Sequence, residues 1–269
     1  MELQIFQVDA FSDRQFRGNP AAVVPLDFWL DEETMLAIAA ENNLAETAFF
    51  APKEEDFHLR WFTPECEIDL CGHATLATAF VLFNYLGYKR DSIRFLTKSG
   101  ELFVTRTGDL LTLDFPSRPP VESEPLPGLL EAIGRLPEKI MRARDFLLVY
   151  SSEEDVRQIE PNFYELSKIP THAVIVTAPG NDCDFVSRFF APQVGVPEDP
   201  VTGSAHCTLI PYWAERLGKE KLFARQISRR GGELYCELAG DRVRIGGKAS
   251  LFLNGKICLE QARSKEAGR

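Results

Sequence analysis

The sequence is short of positive charge. Its 30 Lys and Arg are outnumbered by 40 Asp and Glu, giving a net charge of −10, and no stretch gathers Lys and Arg into a basic stripe. Nucleic acid and anionic membrane surfaces are therefore not expected as partners. It contains neither G-x-x-x-x-G-K-[ST] nor a G-x-G-x-x-G after a strand pattern, so no nucleotide or other cofactor is expected. The opening Met-Glu-Leu-Gln-Ile-Phe-Gln-Val-Asp-Ala-Phe has no basic region followed by an apolar one, as expected of a cytoplasmic chain whose six cysteines stay reduced. Charge is absent from Leu70 to Tyr88, a run of 19 residues, but polar residues from Gly72 and His73 to Asn84 interrupt it. A buried helix, not a membrane span, is expected there.

What the 269 residues do contain is ordinary globular material, 45% hydrophobic and 26% charged. Short alternating apolar runs recur along the chain, among them Leu3–Val8, Phe57–Phe62, Ser92–Thr97, Leu110–Phe115 and Ala173–Thr177. They read as strands. Asn254-Gly255, between apolar runs, predicts a two-residue hairpin, and Gly231-Gly232 and Gly246-Gly247 predict turns. Helical patterns are few, chiefly residues 31–42, 72–87 and 203–218. Five prolines within residues 116–128 predict a linker near the midpoint, and the polar stretch 261–269 is expected to fray.

Self-comparison reveals a duplication. Asp56–Pro64 and Asp184–Pro192 share Asp, Phe, Arg, Phe and Pro at an offset of 184 − 56 = 128. Gly72 pairs with Gly203 at an offset of 131, each opening a long uncharged segment. A unit this long is a duplicated domain and not a solenoid repeat. A helix apolar on every side must be buried on every side. The expected architecture is thus α+β, with two pseudo-symmetric lobes, each a mostly antiparallel sheet or barrel wrapped around one central helix. The first lobe would span 1–117 with its helix at about 73–86, the second 118–269 with its helix at about 204–217, the C-terminal residues returning to the first lobe. Gly87 and Gly218 would close the helices, and Pro211 should kink the second.

Gly72 and Gly203 leave the first turns of both helices open to a ligand. Free N–H groups and the positive end of the helix dipole make such turns suited to an anion, so a small-molecule carboxylate is the expected guest. Glu46, flanked by Leu44-Ala45 and Thr47-Ala48-Phe49-Phe50, is a carboxyl among apolar groups and a candidate proton carrier. His73, in a helix's first turn, is expected to be a neutral imidazole, because the dipole disfavours its charged form. Ser204 can offer a hydroxyl and an N–H to a carboxylate, and Asp199, held extended before Pro200, can orient an amine or hydroxyl. Cys71 immediately precedes Gly72, but Thr202 occupies the matching place before Gly203, so a pair of thiols acting on one stereocentre is unsupported. Cys66-x4-Cys71-x-His73 has no second pair to complete a metal site, and no metal is expected.

Phe16-Arg-Gly-Asn19-Pro20, Glu46-Thr-Ala-Phe49, Phe62-Thr-Pro64 followed by Cys71-Gly-His-Ala-Thr75, and Glu198-Asp-Pro-Val-Thr-Gly-Ser-Ala-His-Cys207 together resemble the PhzF-like isomerases of phenazine biosynthesis. The resemblance spans nearly the whole chain. It implies a diaminopimelate epimerase-like fold, a homodimer, and a cofactor-independent isomerase. Glu46 would be the catalytic carboxylate, His73 and Asp199 its catalytic helpers, and Gly72, Gly203, Ser204 and Asn19 would bind substrate. The alternatives are an amino-acid racemase or epimerase, and a non-catalytic binding protein that keeps the cleft.

Overall fold

The computed structural model describes residues 1–260; the tail at 261–269 lies outside the described residues. The first lobe runs β1 (Glu2–Ala10), β2 (Asn19–Pro25), α1 (Glu32–Asn42), β3 (Glu46–Lys53), β4 (Asp56–Phe62), β5 (Glu67–Ile68), α2 (Gly72–Asn84), β6 (Ser92–Thr97), β7 (Gly100–Thr107) and β8 (Leu110–Pro116). The second runs β9 (Val121–Glu122), α3 (Leu129–Ile133), β10 (Lys139–Arg142), β11 (Phe146–Val149), α4 (Glu153–Arg157), α5 (Phe163–Leu166), β12 (Val174–Pro179) and β13 (Phe185–Phe190). It continues through α6 (Gly203–Leu217), β14 (Lys221–Gln226), β15 (Gly232–Ala239), β16 (Arg242–Gly247) and β17 (Ala249–Cys258).

The duplication in sequence is a duplication in pairing. β2 is parallel to β3, β3 antiparallel to β4, and β4 parallel to β6; β11, β12, β13 and β14 repeat this pattern in order. The repeated arginine plays the same part twice: Arg60 on β4 grips Glu67, and Arg188 on β13 grips Glu198, each through two nitrogens. The two lobes are pseudo-symmetric. β8 pairs with β16 and joins them into one 17-stranded sheet.

α2 and α6 lie in one apolar cluster that also takes side chains from strands of both lobes. α2 is buried from His73 to Phe83 except at Phe80, and Thr75 and Thr78 return their hydroxyls to Cys71 and Ala74 carbonyls. This is how a helix with no charged face satisfies its polar atoms inside a core. No helix among the described residues is long and apolar enough to cross a membrane. α6 runs unbroken through Pro211. The carbonyl that a proline leaves unpaired, four residues back at Cys207, accepts the Arg118 N–H at 2.8 Å from the proline-rich segment. That segment is not wholly irregular, since Val121-Glu122 pairs with β10.

Three local expectations give way. α2 ends at Asn84, not near Leu86, because the Val81 carbonyl takes both the Tyr85 and Leu86 N–H groups and ends the regular ladder. Asn254-Gly255 forms no hairpin: β17 runs straight through it, with Asn254 opposite Phe6 and Gly255 opposite Ile5. The long edge of β1 offers continuous backbone pairing, which outweighs the local turn preference. Gly246-Gly247 likewise ends β16 instead of forming a turn. A Cβ on Gly247 would stand 2.3 Å from the Phe11 ring.

Gly247→Ala should therefore cost about 1–3 kcal/mol, as overpacking of a core usually does. Gly255→Ala, whose Cβ would meet nothing nearer than 3.4 Å, should be close to neutral in the same urea titration. Equal stabilities for the two variants would contradict this packing.

Candidate active site

The N-termini of α2 and α6 meet at their glycines. A Cβ built on either Gly72 or Gly203 would lie 3.7 Å from the other's Cα, so two backbones approach as only small residues allow. Two positive helix ends thus face one place. β2 and β3, adjacent and parallel, both begin beside it, and their first residues are Asn19 and Glu46. Glu46 reaches the strand start through the left-handed Asn43 that ends α1.

His73 stands between the two halves of the site. Its Nε2 is 2.9 Å from Glu46 Oε2, with side chains only 7% and 16% exposed. Neither atom makes another hydrogen bond among the described residues. On the other side of the ring, Nδ1 is 3.2 Å from Asn19 Nδ2 and 3.5 Å from Cys71 Sγ. Asn19 donates in turn to Asp199 Oδ1 at 2.8 Å and to the Val201 carbonyl at 2.9 Å. Glu46, His73, Asn19 and Asp199 therefore form one chain of contacts across both lobes. Ser204, in the first turn of α6, is half-buried and uses its hydroxyl in no hydrogen bond among the described residues.

The charges differ from expectation at His73. Burial works against its imidazolium, but the Glu46 carboxylate beside Nε2 and the Cys71 sulfur near Nδ1 favour it, and its pKa is raised well above the ordinary histidine value. A neutral imidazole is what the helix dipole alone would give; an adjacent carboxylate reverses that. Burial also lifts Asp199, to about 6, with Glu46 adding to the rise and His73, Thr202 and Asn19 opposing it. Cys71 is raised by burial and by Glu46, which keeps it a thiol.

Two participants went unnoticed as site residues. Gln226 is buried on β14; its Oε1 accepts the Thr202 N–H at 2.9 Å and its Nε2 donates to the Asp199 carbonyl at 2.8 Å. It shares the inward face with Leu222 and Ala224, and a glutamine on an apolar inward face was the available signal. Thr202 donates its hydroxyl to Asp199. Cys71 is at the site while Cys66 is exposed and apart from it. The donor atoms of Glu46, Cys71 and His73 lie within 4.8 Å of one another. The imidazole turns a different nitrogen to each of the other two, which does not suit a single ion.

Residues 8–255 match the family described as Phenazine biosynthesis-like protein, PhzC-PhzF. An uncharacterized isomerase of Pseudomonas aeruginosa is 53% identical over 259 residues, covering 96% of this chain and 100% of that protein. The crystal structure of a phenazine biosynthesis protein of the PhzF family from Enterococcus faecalis superposes with a TM-score of 0.94 at 48% identity, covering 96% of this chain and 100% of that one. A probable proline racemase from Agrobacterium radiobacter shares the fold, with a TM-score of 0.63 at 12% identity over 96% of this chain and 93% of its own.

A raised carboxyl stabilises the folded state only while it is protonated. For Asp199, that contribution is complete below the unfolded value near 4 and is lost as pH rises through about 6. Relative to Asp199→Asn, the wild type should lose up to about 3 kcal/mol of unfolding free energy between pH 4 and pH 7. A difference between the two proteins that stays flat over this range, in paired urea titrations, would contradict the burial of Asp199.

Proposed function

The chain belongs to the phenazine biosynthesis-like (PhzC-PhzF) family and is an isomerase, and we propose that it moves a proton between two carbons of a small carboxylate-bearing substrate, by general acid/base catalysis and without a cofactor. The observation that carries this reading is the facing pair of Glu46 Oε2 and His73 Nε2, buried and without other hydrogen-bond partners among the described residues, where two helix N-termini converge. Buried polar atoms are seldom left unpaired, and at a cleft such atoms are available to a ligand.

In this reading the first-turn N–H groups of α2 at Gly72 and of α6 at Gly203, with the Ser204 hydroxyl, hold the substrate carboxylate. The same dipoles favour the negative charge that develops when a neighbouring C–H is broken. Glu46 takes that proton as a carboxylate and returns it to another carbon on the same face. The atoms balance, since the product is the substrate with one hydrogen moved and its double bond shifted. His73, beside Glu46, offers a hydrogen bond to the substrate. Asp199, fixed by Asn19, Thr202 and Gln226, orients an amine or hydroxyl. Stereoinversion by two thiols is the less favoured reading: Cys71 is present, but the matching Thr202 hydroxyl is already given to Asp199.

The test is proton exchange at carbon. Small unsaturated hydroxy and amino carboxylates are incubated with the protein in D2O and followed by NMR. Glu46→Gln should lower exchange and isomerisation by ~10²–10⁴-fold with the fold intact. Cys71→Ser should retain both. Full activity in Glu46→Gln would overturn the reading, and loss of activity in Cys71→Ser would favour the racemase. Ser204→Ala should weaken binding of the product-like 3-hydroxyanthranilate by about tenfold in calorimetry.

A further inference from the structure

Beside the catalytic groups lies an open cavity of about 740 Å³, lined by residues 11–17 on one side and by the end of β14 and the turn before β15 on the other, with Arg17 and Arg229 exposed at its edge. Its charge is opposite to that of the protein. On a chain of net charge −10, this cavity is lined by seven Lys and Arg side chains against Asp13 and Glu233 alone. Four of the seven have acidic neighbours: Arg230 is 2.8 Å from Asp9, Arg225 is 3.3 Å from Glu233, Arg14 is 3.7 Å from Asp13, and Arg157 pairs with Glu153. The other three, Arg17, Arg229 and Lys248, have neither an ion pair nor a side-chain hydrogen bond among the described residues. Gathering cations without counter-charge costs free energy unless something anionic enters.

The walls that carry these side chains are tied together across the lobes. The Gly18 N–H donates to the Gly231 carbonyl at 2.8 Å, and Arg230 donates to the Gly18 and Arg17 carbonyls at 2.8 and 3.0 Å. Ser228 donates to the Pro200 carbonyl at 2.8 Å, and the Glu233 N–H to the Phe11 carbonyl at 3.0 Å. Phe11 itself sits at a positive φ of 61°, a strained conformation that the surrounding contacts hold in place. The three uncommitted cations therefore project from a fixed frame. Gln226 lines the cavity and also bonds to Thr202 and to the Asp199 carbonyl, so the cavity adjoins the catalytic groups through one side chain.

We propose that this cavity is a binding site for a phosphorylated small molecule, with Arg17, Arg229 and Lys248 taking its phosphate oxygens. Guanidinium groups match phosphate with paired N–H bonds, and lysine supplies a compact charge beside them. A single phosphate would fill little of the cavity, so its volume leaves room for an organic body as well. The sequence holds no basic stripe that would continue this patch, which suits a small anion and not a nucleic acid strand. Occupancy requires no catalysis, so this site stands or falls apart from the isomerase reading.

Inorganic pyrophosphate and inorganic phosphate are the probes, titrated calorimetrically into the full chain at 0.15 M salt, where the Debye length is about 8 Å and diffuse attraction is screened. Pyrophosphate should saturate one site. The triple variant Arg17→Gln, Arg229→Gln, Lys248→Gln should bind at least about tenfold more weakly with its thermal melt unchanged. Lys53→Gln, Lys89→Gln, Lys139→Gln, which removes the same charge from exposed positions elsewhere, should bind as wild type. No saturable binding, or equal weakening in both triple variants, overturns the proposal. A repeat with 3-hydroxyanthranilate present separates two sources of the phosphate. Competition marks a group borne by the substrate, and undiminished binding marks a separate effector.

Discussion

Two buried helices point their positive ends at the same place, and much of the structure answers that constraint. The backbones at Gly72 and Gly203 come close enough that a Cβ added to either would touch the other's Cα, at 3.7 Å. Uncompensated helix ends inside a protein are costly. Around this point the fold sets two carboxylates, Glu46 at the start of β3 and Asp199 before α6, and one imidazole between them.

The protonation of the site belongs to the group and not to its members. Glu46 favours a proton on His73; burial lifts Asp199 towards neutrality; Asn19 lies between His73 and Asp199. Interacting titrations of this kind have shared apparent constants. Asn19 gives its two N–H bonds to Asp199 Oδ1 and the Val201 carbonyl, while its Nδ2 also lies 3.2 Å from His73 Nδ1.

The central helices and the duplication were legible because both leave long-period marks: an uncharged run, a glycine opening it, and a nine-residue motif repeated at an offset of 128. The motif's arginine proved to be a repeated clamp on Glu67 and Glu198. Short-range signals were less dependable. Asn254-Gly255 has the composition of a turn yet lies mid-strand, because β1 supplies a long paired edge from the far end of the chain. Gln226 was passed over because a single polar residue in an alternating strand looks local, while both of its partners lie more than twenty residues away in sequence.

The sequence by itself determined the two-lobed α+β plan, the burial of its central helices, and the set of groups Asn19, Glu46, Gly72, His73, Asp199, Gly203 and Ser204, since periodicity, composition and motif are properties of neighbouring residues. Tertiary structure alone decided which of these touch, that Glu46 stands where it raises the His73 pKa, and that cations from residues 14–17, 229 and 248 share one cavity. Asn19 and Asp199 are 180 residues apart, and Arg230 and Asp9 are 221 apart. Contacts at such separations, and the electrostatics they create, exist only once the sheet has closed and brought both lobes together.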